Sequence, residues 1–188
     1  MSEYSGHENL ETATKRKNFT KWVLDEVSPV LKGNILEVGS GLGTFSEYII
    51  KRFPESSITL SDVSHIYVKN LKEKFGSKQV DVYKLDLNDS EDFQKISHKK
   101  FDSIIAINVL EHIKDDNKAI SEIARVLRKS GKLIICVPND TILSYLNPVR
   151  YVQHERHYSI KRITSLLKRN GFKIEKVFAG GGISELAD

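Results

Sequence analysis

The chain predicts an α/β fold, a doubly wound and mainly parallel sheet with helices on both faces. Three observations carry that expectation. Short apolar runs alternate with amphipathic stretches of helical period from about residue 34 to residue 178. Glycine, proline or small polar residues punctuate the changes from one pattern to the other. The residues best suited to chemistry (39–43, Asp62, Asp86, 108–112 and Pro138 onward) all follow apolar runs. Open parallel sheets bind their ligands there, outside the carboxyl ends of the strands.

Taken in order, residues 16–31 form a helix with Phe19, Trp22, Val23 and Val27 on one stripe, closed by Pro29 and Gly33. Trp22 is expected to anchor the core. Strand 34–38 leads into helix 45–53, stopped at Pro54. Strand 57–61 precedes helix 64–75, ended by Gly76, and strand 80–85 precedes a short helix, 90–96. Strand 102–107 is followed by helix 116–128, with Ala119, Ile120, Ile123, Ala124 and Leu127 on its inner face and Gly131 as its cap. Strand 132–137 holds Cys136, read as a core thiol. Helix 159–169 is capped by Gly171, and 172–178 alternates as a sixth strand.

At 188 residues the chain is the size of one domain, placed at 16–178 between a flexible segment, 1–15, and a flexible glycine-rich tail, 179–188. No apolar run approaches the ~20 residues that span a bilayer, and the N-terminus lacks a basic-then-apolar signal, so a cytoplasmic protein is expected. One cysteine permits neither an internal disulfide nor a cysteine-built zinc site. The net charge of +4 comes from 29 Lys and Arg against 25 Asp and Glu. Its clusters at 15–17, 98–100 and 125/128/129 are short and not interleaved with aromatics, so nucleic acid is not the expected partner.

The sharpest motif is Glu37-Val38-Gly39-Ser40-Gly41-Leu42-Gly43, a buried strand running into a glycine turn that opens a helix. Its Gly-x-Gly-x-Gly spacing differs from the dinucleotide fingerprint. Glu37, two residues before the first glycine, suits a ligand with an ammonium group better than a pyrophosphate. Asp62, about 20 residues on, can accept from both hydroxyls of a ribose. Asp86, in Lys84-Leu85-Asp86-Leu87, can accept from an exocyclic adenine amine. The fourth motif is Asn108-Val109-Leu110-Glu111-His112-Ile113. Residues 138–158, without periodicity at the mouth of the site, bring Tyr145, Arg150, Tyr151, His154, Arg156, His157 and Tyr158, suited to clamping an acidic or aromatic acceptor. His154 and His157 have only Glu155 as a nearby carboxylate, so no metal is expected.

In these motifs and their order the chain resembles the class I S-adenosylmethionine (SAM)-dependent methyltransferases, and Val109-Leu110-Glu111-His112-Ile113 is similar to their small-molecule branch. The resemblance spans about 33–178 and implies a Rossmann-like sheet with SAM as cofactor and S-adenosylhomocysteine as product. It implies that Glu37 orients the methionyl end and that Gly39, Ser40, Gly41 and Gly43 line its path. It further implies that Asp62 holds the ribose, Val63 packs on adenine, Asp86 and Leu87 take the adenine edge, and Asn108 lies beside the methionyl group. Methyl transfer to O or N of a small-molecule acceptor is the implied reaction. His112, and after it His154 and His157, are the candidate bases. An RNA or protein methyltransferase, or a SAM-binding module without activity, are the alternatives. The family's sheet carries a seventh strand, for which the ten residues after Phe178 leave little room. A sheet cut short after strand six is therefore expected, in a monomer or in a dimer paired through that strand's edge.

Overall fold

Five parallel strands form one sheet in the order β3-β2-β1-β4-β5 in this computed structural model, which describes residues 20–76, 79–138 and 155–178. The elements are α1 (20–27), β1 (Ile35–Val38), α2 (Thr44–Arg52), β2 (Ile58–Asp62), α3 (His65–Phe75) and β3 (Val80–Lys84). They continue with α4 (Ser90–Ile96), β4 (Phe101–Ile107), a 3-10 turn (Leu110–His112), α5 (Asp116–Val126), β5 (Leu127–Cys136) and α6 (Ile160–Arg169). This is the Rossmann-like, doubly wound arrangement expected.

β1 is the hinge of the topology. Ile35 is registered with Ile58 on one side and with Ser103 on the other, so strand order reverses between β1 and β4. All four β1 residues are buried, as a central parallel strand covered on both faces requires. The strand's alternation then sorts side chains between two cores. Ile35 packs with Val23, Leu24 and Val27 of α1, Ile49 of α2, and Val68 and Leu71 of α3. Leu36 and Val38 pack with Phe93 and Ile96 of α4, Ile120 and Ile123 of α5, and Leu166 of α6.

The helices start where the sequence supplies caps. Ser64, Asp89, Asp115 and Ser159 accept from backbone N–H groups of α3, α4, α5 and α6. α2, whose N-cap is Gly43, has no side-chain cap.

Several expectations need correction. Residues 172–178 join no strand ladder, because strand structure belongs to a pair and alternation in one segment supplies no partner. β5 is the sheet edge among the described residues, and the 172–178 segment is held by ion pairs of Glu175 with Lys132 and of Lys176 with Glu26. α5 ends at Val126, not Arg128. Leu127 is already extended and pairs with Phe101, so Gly131 lies inside β5, at an irregularity of register, and caps nothing. Trp22 is 40% exposed and is no core anchor, since α1 buries Val23, Leu24 and Val27 in its place. Segments 1–15 and 179–188 lie outside the described residues. No described helix is long and apolar enough to cross a membrane.

Candidate functional site

The carboxyl edge of the sheet gathers the motifs that the sequence separates by up to 70 residues. β1 delivers Glu37 and the 39–43 turn, β2 delivers Asp62, β3 leads to Asp86, and β4 leads to Asn108 and the 3-10 turn.

Gly39, Gly41 and Gly43 all have left-handed backbones, with φ of +73°, +52° and +80°. A Cβ on Gly39 would sit 2.4 Å from Val109 Cγ2, so the first and fourth motifs touch there. Asp62 locks this turn to the end of β2. Its Oδ2 accepts from the Gly41 N–H at 2.9 Å and its Oδ1 from the Ser64 N–H at 2.8 Å. Each carboxylate oxygen retains acceptor capacity for a ribose hydroxyl. Ser40 closes the same joint, its N–H donating to Ser61 O at 2.9 Å.

Glu37 lies beneath the turn, 4% exposed, and accepts from Ser46 Oγ at 2.6 Å. Burial pushes its carboxyl up to about 7, against the hydrogen bonds of Ser46 and Ser40 and with a further push from Asp62. A cation brought near would favour its charged form.

At β3 a residue that sequence reasoning missed fixes the geometry. Asp92 is 1% exposed and holds the Asp86 backbone N–H at 3.0 Å, Lys84 Nζ at 2.8 Å and Lys95 Nζ at 2.6 Å. Burial alone would raise its carboxyl; the two lysines and the backbone bond bring it to about 2. Asp86 Oδ1 accepts from the backbone and side-chain N–H groups of Asn88, both at 2.9 Å. The Leu87 side chain is buried with α4 and α5, which leaves only its backbone groups for a ligand contact. Val63 and Leu42 are 56% and 71% exposed beside Asp62 and the glycine turn.

These residues fit the adenosyl and methionyl parts of SAM. There is a turn with no Cβ at three of its five positions, a buried carboxylate with acceptor capacity left, exposed apolar side chains for an adenine face, and an uncapped α2 start for an anionic carboxyl.

Asn108 takes φ +53°, a left-handed conformation that asparagine tolerates better than most residues, and its N–H donates to Cys136 O at 2.9 Å. In the turn that follows, His112 is exposed and Glu111 is buried. His157 lies near Glu111, and His154 falls outside the described residues. Cys136 is half-buried, its thiol pushed up first by burial and then by Glu111. Arg156 and Tyr158, expected in a clamp, are instead structural. Arg156 pairs with Asp116 at 2.6 Å, and the Tyr158 hydroxyl donates to Asp116 at 2.8 Å. Only the polar pattern of 154–158 was legible beforehand; the partner, Asp116, sits a full 40 residues upstream.

Comparison with known proteins agrees with this geometry. The family profile described as a methyltransferase domain matches residues 12–177. Malonyl-[acyl-carrier protein] O-methyltransferase 2 of Ilyobacter polytropus is 31% identical over 127 residues, covering 67% of this chain and 48% of that protein. The chain thus spans about half the length of the first curated relatives it matches, 48% and 47%. A SAM-dependent methyltransferase from Archaeoglobus fulgidus superposes with TM-score 0.67 at 20% identity, over 90% of this chain and 75% of the other. The CurJ carbon methyltransferase superposes with TM-score 0.62 at 18% identity, over 82% and 46%. Both share the fold. With its class I sheet, its glycine turn and a profile match across nearly its whole length, the chain belongs to the methyltransferase-domain family of SAM-dependent enzymes.

Proposed function

We propose that this domain transfers a methyl group from SAM to an oxygen or nitrogen of a small-molecule acceptor in the cytoplasm. The observation that carries the reading is the 39–43 turn, held by Asp62 against the end of β2. Asp62 holds the ribose, Asp86 with the Leu87 backbone takes the adenine edge, and Val63 packs on the base. Glu37 attracts the ammonium of the methionyl end, and Gly39, Ser40, Gly41, Gly43 and Asn108 line its path. When bound, SAM supplies an activated methyl on a sulfonium, so the protein's work is to align an acceptor and exclude water. The O-methyltransferase relatives support an oxygen acceptor; nitrogen is open to the same geometry.

The test is a thermal shift with S-adenosylhomocysteine. Ligand at 100 times its dissociation constant adds about 2.7 kcal/mol, which is roughly 5–10 °C for a domain of this size. No shift at millimolar ligand overturns the cofactor assignment. Label transfer from SAM over an acceptor panel that includes RNA then separates a small-molecule enzyme from a nucleic-acid one. His112 is the candidate base: His112→Ala should lower turnover about 100-fold or more while leaving S-adenosylhomocysteine affinity unchanged. An unchanged rate returns His112 to a surface role.

A further inference from the structure

We propose that Glu111 is the acceptor-recognition residue: its carboxylate receives an N–H or O–H donor from a neutral or cationic acceptor at the carboxyl ends of β4 and β5. The inference rests on the methyl-transfer reading above and names the substrate class for it.

The side chain is 1% exposed, and neither Oε1 nor Oε2 has a hydrogen-bond partner in another described residue; only Glu111's own backbone N–H lies near enough to favour the charge. Native proteins pair nearly all buried polar atoms, so a doubly unpaired carboxyl points to a group that arrives from outside. The turn that carries it is also held in place. The Glu111 carbonyl oxygen accepts the Glu155 N–H at 2.9 Å and the Arg156 N–H at 3.3 Å, so the returning chain pins the turn from above. The 3-10 turn closes through the His112 N–H to Val109 O at 3.0 Å.

The chain also withholds the obvious partner. Arg156 bonds its backbone to Glu111 but sends its guanidinium to Asp116 at 2.6 Å, where Tyr158 also donates at 2.8 Å. The groups whose charge reaches Glu111 are His112 on the same turn and His157 on the returning segment, both favouring the ionised carboxyl against burial. Cys136, at the end of β5, feels the Glu111 charge in turn.

Position assigns this carboxyl to the acceptor and not the cofactor. Glu37, Asp62 and Asp86 serve the ends of β1, β2 and β3, and the Gly39–Val109 contact is the boundary. Glu111 stands two residues after Val109, in the 3-10 turn that follows β4. A buried carboxylate there accepts from an amine or hydroxyl and repels an anionic acceptor. The free carboxylate of a malonyl thioester would meet it charge against charge.

Three preparations test this: wild type, Glu111→Gln and Glu111→Met. Without ligand both variants should melt above wild type by roughly 2–6 °C, since a buried charge without a partner burdens the fold that carries it. Label from methyl-tritiated SAM should pass to a catechol or primary-amine probe and not to malonyl-coenzyme A. That transfer should fall about 100-fold in Glu111→Gln, with S-adenosylhomocysteine affinity within about twofold of wild type. Methylation of malonyl-coenzyme A by wild type overturns the proposal. So does a Glu111→Gln chain that melts below wild type or keeps its transfer rate. Loss of S-adenosylhomocysteine binding by wild type itself would strike the methyltransferase reading instead, which keeps the two failures apart.

Discussion

Two buried glutamates at strand ends divide the carboxyl edge of this sheet. Glu37, 4% exposed at the end of β1, accepts from Ser46, while Asp62 after β2 holds backbone N–H groups and Asp92, by the end of β3, holds a backbone N–H and two lysines. Glu111, 1% exposed after β4, accepts nothing from the described residues. The β1–β3 side is therefore finished by the chain's own donors, and a ligand entering it finds a preset cradle. The β4–β5 side has spent Arg156 elsewhere, on Asp116. Burial raises both carboxyls, but only at Glu37 do protein hydroxyls oppose the rise. A shared fold edge thus carries one preorganised half and one half that waits for a donor.

The largest effect should come from the clasp that makes the first half. Asp62→Ala removes the acceptor of two backbone N–H groups and of the ribose together. S-adenosylhomocysteine affinity should fall well beyond tenfold in calorimetry, and urea unfolding should show a loss of about 2–4 kcal/mol. Wild-type affinity in this variant would end the claim that the cradle is built around Asp62.

Next is the pH dependence of Glu37. Its carboxyl titrates near 7 when folded and near the ordinary 4.5 when unfolded. Between those values the folded chain keeps a proton that the unfolded chain releases, so stability falls as pH rises from 4.5 toward 7. The Glu37 share of that loss is about 3 kcal/mol. Glu37→Gln should remove it, read as a flatter plot of unfolding free energy against pH. A slope equal to wild type would show that Ser46 and Ser40 already hold the charged form.

The smallest effect belongs to the other half. Tyr158→Phe removes the donor to Asp116 but leaves Arg156 in place, and should cost about 1 kcal/mol. S-adenosylhomocysteine affinity should not change, because the Tyr158 hydroxyl bonds Asp116 and the Leu110 carbonyl oxygen and none of the proposed cofactor-binding residues. A change in cofactor affinity would mean that the two halves are coupled and the division drawn above is too sharp.

Much of the fold was legible because it is written in local periodicity. Four of the six expected strands stand within a residue of their expected positions and the fifth starts five residues early, since a parallel strand buried on both faces must be a short apolar run. The glycine turn and Asp62 were legible for a related reason: left-handed backbone and a strand-end carboxylate are local demands that few residue types meet. The sixth strand failed because pairing needs a neighbour, which alternation at Phe172 and Ile174 does not provide. Trp22 failed because a hydrophobic stripe does not say which of its members points to the rim.

The amino-acid sequence by itself determined the order of the first five strands and their helices, the two-faced sheet and the left-handed glycine turn, because each follows from residues within one turn, strand or helix. Only the tertiary structure decided the rest. It placed Asp92 under Asp86, spent Arg156 and Tyr158 on Asp116, and left Glu111 rather than His112 buried in the 3-10 turn. Partnership of a buried charge depends on how a turn folds back, as at Asp92, or on side chains that arrive from 40 or more residues away, as at Asp116, and no hydrophobic periodicity records either.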